Sequence, residues 1–564
     1  MKVVIVGGVA GGATAAARIR RLDEQADIVV FERSGYISYA NCGLPYYIGG
    51  IIQDRSELTL QTPESFFSRF RVAMRVRHEV TAIHPDQKTV SVKNLETGEE
   101  FEESYDKLIL SPGAKPTQPR LPGVGLDRLF TLRTVEDTFR IKEYIDRNHP
   151  RSAVLAGGGF ISLELAENLR ELGMEVTIVQ RPKQLMNPFD PDMASFIHGE
   201  VRKHGVKLAL DHTVEGFEEK NGGVDVLLKD EAPLHADMVV LAIGVSPDTS
   251  LAKEAGLELG IKGSIVVNDR METSVPDIYA VGDAVQVKHF VTGQDALLSL
   301  AGPANKQGRI AADNICGGDS RYRGSQGSSV IKVFDMTAAS TGVNETNARK
   351  AGLDVDTVIL SPMSHAGYYP GGKVMTMKVV FEKETYRLLG AQIVGYEGVD
   401  KRIDVLATAI RAGLKATELK DLDLAYAPPY SSAKDPVNMA GFMIENIANG
   451  VLKQWHLADV DNLPRDGSVT LLDTRTVEEF VHGHIDGFTN IPVDELRERL
   501  DELDKGKPVY VICQSGLRSY IACRILAGND FECYNFSGGF RFYDAVMNDR
   551  CLIESATACG KDKI

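Results

Sequence analysis

The chain opens on an apolar run, Lys2-Val3-Val4-Ile5-Val6, that stops at Gly7-Gly8-Val9-Ala10-Gly11-Gly12. A short unbroken apolar run bounded by glycine reads as a strand buried on both faces, as in parallel sheets. Helical periodicity follows to Arg21, and a second strand, Ile28-Val29-Val30-Phe31, ends at Glu32. The pattern then recurs. Ala153-Val154-Leu155-Ala156 runs into Gly157-Gly158-Gly159-Phe160-Ile161-Ser162, a helix reaches about Leu172, and Val176-Thr177-Ile178-Val179 is the next strand. Further strands precede Ser111-Pro112-Gly113-Ala114, Gly244, and Gly282-Asp283-Ala284. Between Val330 and about Met443 the pattern changes to strands (374–381, 388–394) followed by a helix (401–412). After Asn449-Gly450 a connector holds the only tryptophan, Trp455. A compact pattern then begins near Val460, with strand runs at 469–472 and 508–512. The pattern predicts an α/β chain of four domains: two Rossmann-like, an α+β third and a small α/β fourth.

Each strand–glycine loop–helix–strand unit is built to hold a dinucleotide. Glycines let the backbone approach a pyrophosphate at the helix N-terminus, and an acid at the end of the second strand receives a ribose hydroxyl. Glu32 lies twenty-five positions after Gly7, near the expected spacing, although Val9 stands where the middle glycine of the motif belongs. The second unit ends in Gln180-Arg181 instead of an acid. No carboxylate there repels a 2′-phosphate and Arg181 is able to contact one, so NADH and NADPH are both admitted. Two such units in one chain imply FAD reduced by NAD(P)H. Asp283, at the end of a strand, suits the ribityl chain of a flavin, though Gly-Asp is also ordinary turn chemistry.

Composition narrows the partners. A net charge of -15 weighs against nucleic acid or an anionic membrane. The apolar stretch from Val3 to Ala17 is interrupted by glycine, lacks a signal-peptide cleavage pattern and is too short to span a bilayer. Seven cysteines at irregular spacing make no disulfide framework, which points to a reducing cytoplasm.

One of those cysteines organises the rest. Tyr39-Ala40-Asn41-Cys42-Gly43-Leu44-Pro45-Tyr46-Tyr47 follows the first dinucleotide unit, and the next cysteine is Cys316. A lone cysteine there has no local disulfide partner, so its redox partner is an external thiol or an oxygen species. The glycine and proline around it mark a helix start, which is expected to lower the thiol pKa. A second cysteine five residues on, as a dithiol mechanism needs, is replaced by Tyr47.

These motifs, together with His365-Ala366-Gly367-Tyr368-Tyr369-Pro370-Gly371 and Tyr426-Ala427-Pro428-Pro429-Tyr430-Ser431, resemble the pyridine nucleotide-disulfide oxidoreductases over the first 445 or so residues. Within them the match is to the single-cysteine branch that contains coenzyme A-disulfide reductase. The resemblance implies a homodimer whose third domain lends Tyr368 and Tyr426 to the partner subunit's site. It implies coenzyme A contacts at Arg18, Arg21, Ser38, Asn41 and Lys434. Arg18 and Arg21 share a helix face, as two phosphate-binding guanidiniums would, and equally as a solvated basic face would. A basic residue that the family carries near Phe70 is absent there, with Arg69 or Arg71 as the candidate substitute. The cofactor set is Gly7, Gly8, Val9, Ala10, Gly11, Gly12, Glu32, Arg33, Gly113, Asp283 and Ala301 for FAD. For NAD(P)H it is Gly157, Gly159, Phe160, Ile161, Glu164, Gln180, Arg181 and Gly244. No metal is expected. The domains then fall at 1–112 with 245–325 (FAD), 113–244 (NAD(P)H), 326–448 (dimerisation), a linker 449–459 and 460–564.

In the last domain a buried strand delivers Cys513-Gln514-Ser515-Gly516-Leu517-Arg518-Ser519 to a helix. Loop N–H groups and the helix start converge on the sulfur. From about 460 to 557 the segment resembles a single rhodanese domain, in which Cys513 carries a persulfide and Arg518 holds the loop or an anionic donor. A Cys-dependent phosphatase has its arginine six positions after the cysteine; here the interval is five. An inert rhodanese used as a binding module is the other alternative. Cys523, Cys533, Cys551 and Cys559 are read as structural or incidental, and Cys316 is left unassigned.

The joint expectation is an NAD(P)H- and FAD-dependent reductase of coenzyme A persulfide, coenzyme A disulfide or polysulfide, working through a Cys42 mixed disulfide and coupled to sulfur transfer at Cys513. The alternative is an NADH oxidase or peroxidase that cycles Cys42 through sulfenic acid. Those relatives carry a histidine in the first glycine loop, where this chain has Val9-Ala10.

Overall fold

The computed structural model describes residues 1–558. It divides into two units, Met1–Pro182 with Gly205–Gly327, and Lys183–His204 with the chain from Ser328 onward.

The first unit holds two parallel five-stranded sheets. In one, the order is Ile278–Ala280, Lys107–Leu110, Lys2–Val6, Asp27–Glu32, Ala73–Val76. Val3, Val4 and Ile5 are fully buried: Val3 and Ile5 pack with the helices Ala10–Leu22 and Ala301–Ile315, and Val4 packs with the antiparallel sheet His78–His84, Thr89–Asn94, Glu100–Ser104. The opening strand pairs with Asp27–Glu32 on one side and Lys107–Leu110 on the other. Its glycine loop therefore leaves at a switch point of the sheet, where such folds bind ligands. The helix Ala10–Leu22 packs closely on Ala301–Ile315, and a Cβ at Gly308 would lie 2.3 Å from the Gly11 carbonyl oxygen. The second sheet runs Leu129–Thr131, Met238–Leu241, Ser152–Ala156, Glu175–Gln180, Lys207–Leu210.

The second unit contains an antiparallel sheet ordered Ser329–Val333, Met336–Gly342, Leu388–Gly395, Met375–Glu382, Val355–Leu360. Helices Val399–Ala412 and Pro436–Ala448 accompany it. A parallel sheet follows, ordered Gln454–Trp455, Cys533–Phe536, Val509–Ile512, Thr470–Asp473, Thr489–Asn490.

Two boundaries differ from the sequence reading. The helix Pro191–Lys203, expected inside the NAD(P)H domain, belongs to the second unit. There Asp549 of the last helix, Gly539–Ala558, meets His198 Nδ1 at 2.7 Å and Arg202 Nη1 at 2.5 Å. The Leu185 N–H donates to His198 Nε2, which places the ring proton on Nδ1, facing Asp549. The expected linker 449–459 is also partly built into a sheet. Gln454–Trp455 pairs with Asn535–Phe536, and the buried Trp455 donates its indole N–H to the Val511 carbonyl at 3.3 Å. A two-residue strand is too short to show alternation, so its pattern is silent. Among the described residues no helix is long and apolar enough to cross a membrane. Cys559 lies outside the described residues.

Candidate active sites

The Cys42 turn is a 3₁₀ segment, Asn41–Gly43, that leads into the short helix Leu44–Ile48, pinned to the core by the buried Leu44 and Ile48. Cys42 itself is exposed. Desolvation of its sulfur, followed by the Glu164 carboxylate, pushes the thiol above its ordinary value; Arg133 opposes and Asp283 adds to the rise. The expectation of a thiol lowered by a helix start is therefore corrected. The helix has only five residues, and two acids outweigh one arginine. Glu164, on the helix Phe160–Glu171, is itself pushed up to about 7 by burial and by Glu167.

Both glycine loops fit a dinucleotide pyrophosphate. Neither Ala10–Leu22 nor Phe160–Glu171 has a side-chain cap or an acid in its first turn, so the first N–H groups of each helix lack a side-chain acceptor. A Cβ at Gly7 (φ +96°) would lie 2.1 Å from the Ser111 carbonyl oxygen. Val9 occupies the N-cap position, and Gly159 does so in the second unit. Glu32 is buried, and its two oxygens accept N–H groups from Gly8 and Ser34, both at 2.8 Å. Each oxygen keeps a second lone pair, as a ribose hydroxyl requires. Gly113, Gly157 and Gly244 all have positive φ. Gln180 closes its strand and Arg181 is exposed; Ala301 begins its helix, also exposed.

Asp283 sits in the turn Gly282–Ala284 and pairs with Arg133 at 2.7 Å. Arg133 carries no motif, and sequence reasoning missed it. Arg33 pairs with Asp248 at 2.8 Å. Of the expected coenzyme A residues, Arg18 is held by Asp313 at 2.6 Å, whereas Arg21 is exposed. Ser38 (φ +44°) donates its N–H to the Gly8 carbonyl, which ties the approach to the Cys42 turn to the first loop.

In the second unit, Tyr368 and Tyr426 are 75% and 45% exposed, and their hydroxyls lie 2.5 Å apart. The loops that carry them are joined by Arg402, which is 1% exposed. Its Nη2 donates to the Ser364 carbonyl, the Tyr430 carbonyl, Ser431 Oγ and Asp435 Oδ2, all within 3.3 Å. Lys434 is exposed. Arg402 was invisible in the sequence because an arginine on an amphipathic helix normally faces water.

The second sulfur site is more fully built. Cys513 is buried, and its Sγ receives the Gly516 N–H and the Ser519 hydroxyl, each at 3.2 Å. Arg518 is held by both oxygens of Glu479, at 2.7 and 2.8 Å. That bond to Arg518 lowers the Glu479 carboxyl to about 2. Behind the loop the buried Arg475 is held by Asp473, reaches Gln514 Oε1 at 3.4 Å, and stacks on Phe540. Ser519 lay in view in the sequence; Arg475, Asp473 and Glu479 gave no motif. Cys523 is buried and Cys533 half-buried, with the Cys533 thiol donating to the Cys523 carbonyl, and Cys551 is exposed.

Two dinucleotide loops and two cysteine turns in one chain have counterparts among known proteins. The model of the pyridine nucleotide-disulphide oxidoreductases matches residues 1–308, that of their dimerisation domain residues 328–436, and that of rhodanese-like domains residues 456–545. The chain belongs to the pyridine nucleotide-disulphide oxidoreductases. It is 39% identical over 442 residues to the coenzyme A disulfide reductase of Staphylococcus aureus (strain JH9), covering 78% of this chain and 99% of that protein. The reduced CoADR-RHD of Bacillus anthracis is 48% identical, over 97% of this chain and 98% of that one, with a TM-score of 0.95. An NAD-dependent persulfide reductase from A. fulgidus is 38% identical, over 96% and 100%, with a TM-score of 0.90. This oxidoreductase thus carries a dimerisation domain and a rhodanese-like domain, and its family implies FAD and NAD(P)H.

Proposed function

We propose that this flavoprotein reduces coenzyme A persulfide, coenzyme A disulfide or a related polysulfide at Cys42, and that Cys513 carries sulfane sulfur to or from that reaction. The observation that carries the reading is the pairing, in one chain, of a lone exposed cysteine with a buried cysteine whose sulfur already has two donors. FAD, when bound, relays an electron pair from NAD(P)H to sulfur. The chain's own residues do the rest. Cys42 Sγ attacks as thiolate and the substrate's S–S bond breaks; with a coenzyme A substrate a Cys42–coenzyme A mixed disulfide forms and the departing thiolate or hydrosulfide takes a proton, whereas a polysulfide leaves Cys42 as a persulfide and departs as a shortened polysulfide. Tyr368 and Tyr426 donate to that departing sulfur, from one subunit of a homodimer to Cys42 of the other. Arg21, Ser38, Asn41 and Lys434 hold coenzyme A, with Arg18 joining once it exchanges Asp313 for a phosphate. Seven thiols in such an enzyme suit a reducing cytoplasm.

The test compares NAD(P)H consumption with coenzyme A disulfide, coenzyme A persulfide, glutathione persulfide, polysulfide and peroxide. The sulfur substrates should turn over and peroxide should not; turnover with peroxide alone would replace this reading by the oxidase one. Mixing Cys42→Ser homodimers with Tyr368→Phe/Tyr426→Phe homodimers should restore activity on subunit exchange, up to about half of wild type per heterodimer. No recovery after exchange confirmed by mass would remove the tyrosines from the partner's site.

A further inference from the structure

A cavity of about 380 Å³ lies within the second unit, where the helix Pro191–Lys203, the antiparallel sheet and the last helix meet. That is a volume typical of small-molecule sites. Phe196, Met336, Val374, Val394 and Ala545 give it apolar walls, with Leu552 at its rim. Three cations also line it: Arg202, Lys203 and Arg541. Asp549 holds Arg202, and Glu200 holds Lys203 at 3.3 Å. Arg541 is different. Its Nε is buried and has no hydrogen-bond partner among the described residues. A buried donor without an acceptor is costly, and folded proteins keep few of them.

We propose that this cavity binds a small organic monoanion, a carboxylate or sulfonate on an apolar body, with its head on Arg541 and its body against Phe196 and Val394. One unpaired cation matches one negative charge. A doubly charged phosphate would also meet Glu200 and Asp549, which line the same walls. The ligand would act on sulfur transfer through the backbone. The Arg541 N–H donates to the Gln514 carbonyl at 3.1 Å, and the Phe540 N–H to the Cys513 carbonyl at 2.7 Å. Whatever fixes Arg541 therefore bears on the loop that holds Cys513.

Gly199 gives a clean way to close the site. It lines the cavity from within a helix, and a Cβ there meets nothing within 4 Å. Leucine at this position fills the space and also favours the helix. The probe is octanoate, with neutral octanamide as control, titrated into the full-length FAD-loaded enzyme by calorimetry and saturation-transfer NMR. Octanoate should bind saturably. Its affinity should fall at least about tenfold in Arg541→Gln and in Gly199→Leu, and octanamide should bind wild type weaker by a similar factor. Saturating octanoate should also shift the KM for thiosulfate in sulfur transfer by Cys513, in wild type and in neither variant. Flavin absorbance and NAD(P)H-dependent coenzyme A disulfide reduction are the folding controls, and Gly199→Leu decides the matter if Arg541→Gln does not fold. No saturable binding, or binding equal in wild type and both variants, overturns the site. Binding without any change in that KM overturns its link to Cys513.

Discussion

Cys42 and Cys513 are both single cysteines in strand-to-helix loops, and the protein treats them in opposite ways. Around Cys42 the protein groups hold the sulfur as thiol: desolvation and the acids Glu164 and Asp283 outweigh Arg133. Around Cys513 the groups are donors: the Gly516 N–H and the Ser519 hydroxyl point at sulfur, with Arg518 and Arg475 braced beside it by Glu479 and Asp473. The difference matches two kinds of work. A carrier must keep its sulfur activated while it waits, so the donors are built into its own loop. The Cys42 sulfur attacks only as thiolate, so it must give up its proton within each turn. A titratable acid beside it is a means of tying the change of state to a proton.

The most drastic way to break the comparison is to remove each sulfur in turn. Cys42→Ser should abolish NAD(P)H-dependent reduction and spare thiosulfate sulfurtransfer, because a hydroxyl is a far poorer nucleophile at neutral pH. Cys513→Ser should do the reverse. If either variant lost both activities while keeping its flavin, the two sites would be one coupled machine. Ser519→Ala should then lower sulfurtransfer by about 10- to 100-fold, the worth of a hydrogen bond to a charged group, with reduction at Cys42 untouched. A rate within twofold of wild type would mean that the hydroxyl plays no part in holding the sulfur.

Glu164→Gln sharpens the other side. Glu164 titrates near 7 instead of its ordinary 4.5, so the folded state favours its neutral form. Its burial opposes folding more and more as pH rises from 4.5 to about 7, and by a constant amount above that. The glutamine variant should therefore gain thermal stability at pH 8 and gain little at pH 4. Its Cys42 should alkylate with iodoacetamide at lower pH than wild type, and an unmoved alkylation profile would show that the acid does not govern the thiol. The smallest effect is expected at Glu479. Its carboxyl is lowered to about 2, so the stability it adds is present above 4.5 and drains away as pH falls towards 2. Because the Arg518–Glu479 pair is about a third exposed, Glu479→Gln should cost only a modest amount at pH 7 and nothing at pH 2. Equal losses at both pH values would assign the cost to packing.

Much of this was readable in advance, for identifiable reasons. Long buried strands such as Lys2–Val6 and Ser152–Ala156 announce themselves by unbroken apolar runs, and glycine loops by the backbone approach they allow. The cysteine turns were legible because cysteine, glycine and proline are rare enough to stand out. The bracing residues were not. Arg133, Arg402 and Arg475 act through partners distant in sequence or through burial, and one-dimensional spacing records neither. The lowered thiol at Cys42 was misjudged because a helix start was weighed without the desolvation of the sulfur and without Glu164, which the distant helix Phe160–Glu171 contributes.

The strand Gln454–Trp455 has a consequence for anyone who would trim or recombine this protein. Gln454 Nε2 donates to Asp356 Oδ2 and to the Thr357 carbonyl, His456 faces Asp356 at 3.0 Å, and the Ser537 hydroxyl accepts the Ile359 N–H. The seam between the last two modules is therefore stitched by side chains of the last one to the Asp356 carboxylate and the main chain of the strand Val355–Leu360. A sulfur-carrier module excised at residue 460 would leave behind its edge strand and the tryptophan that roofs Val511, whereas one excised at Asn449 would keep both. Grafting onto a foreign reductase would further require Asp356 and its neighbours on the recipient, so such modules are expected to be inherited together more readily than exchanged.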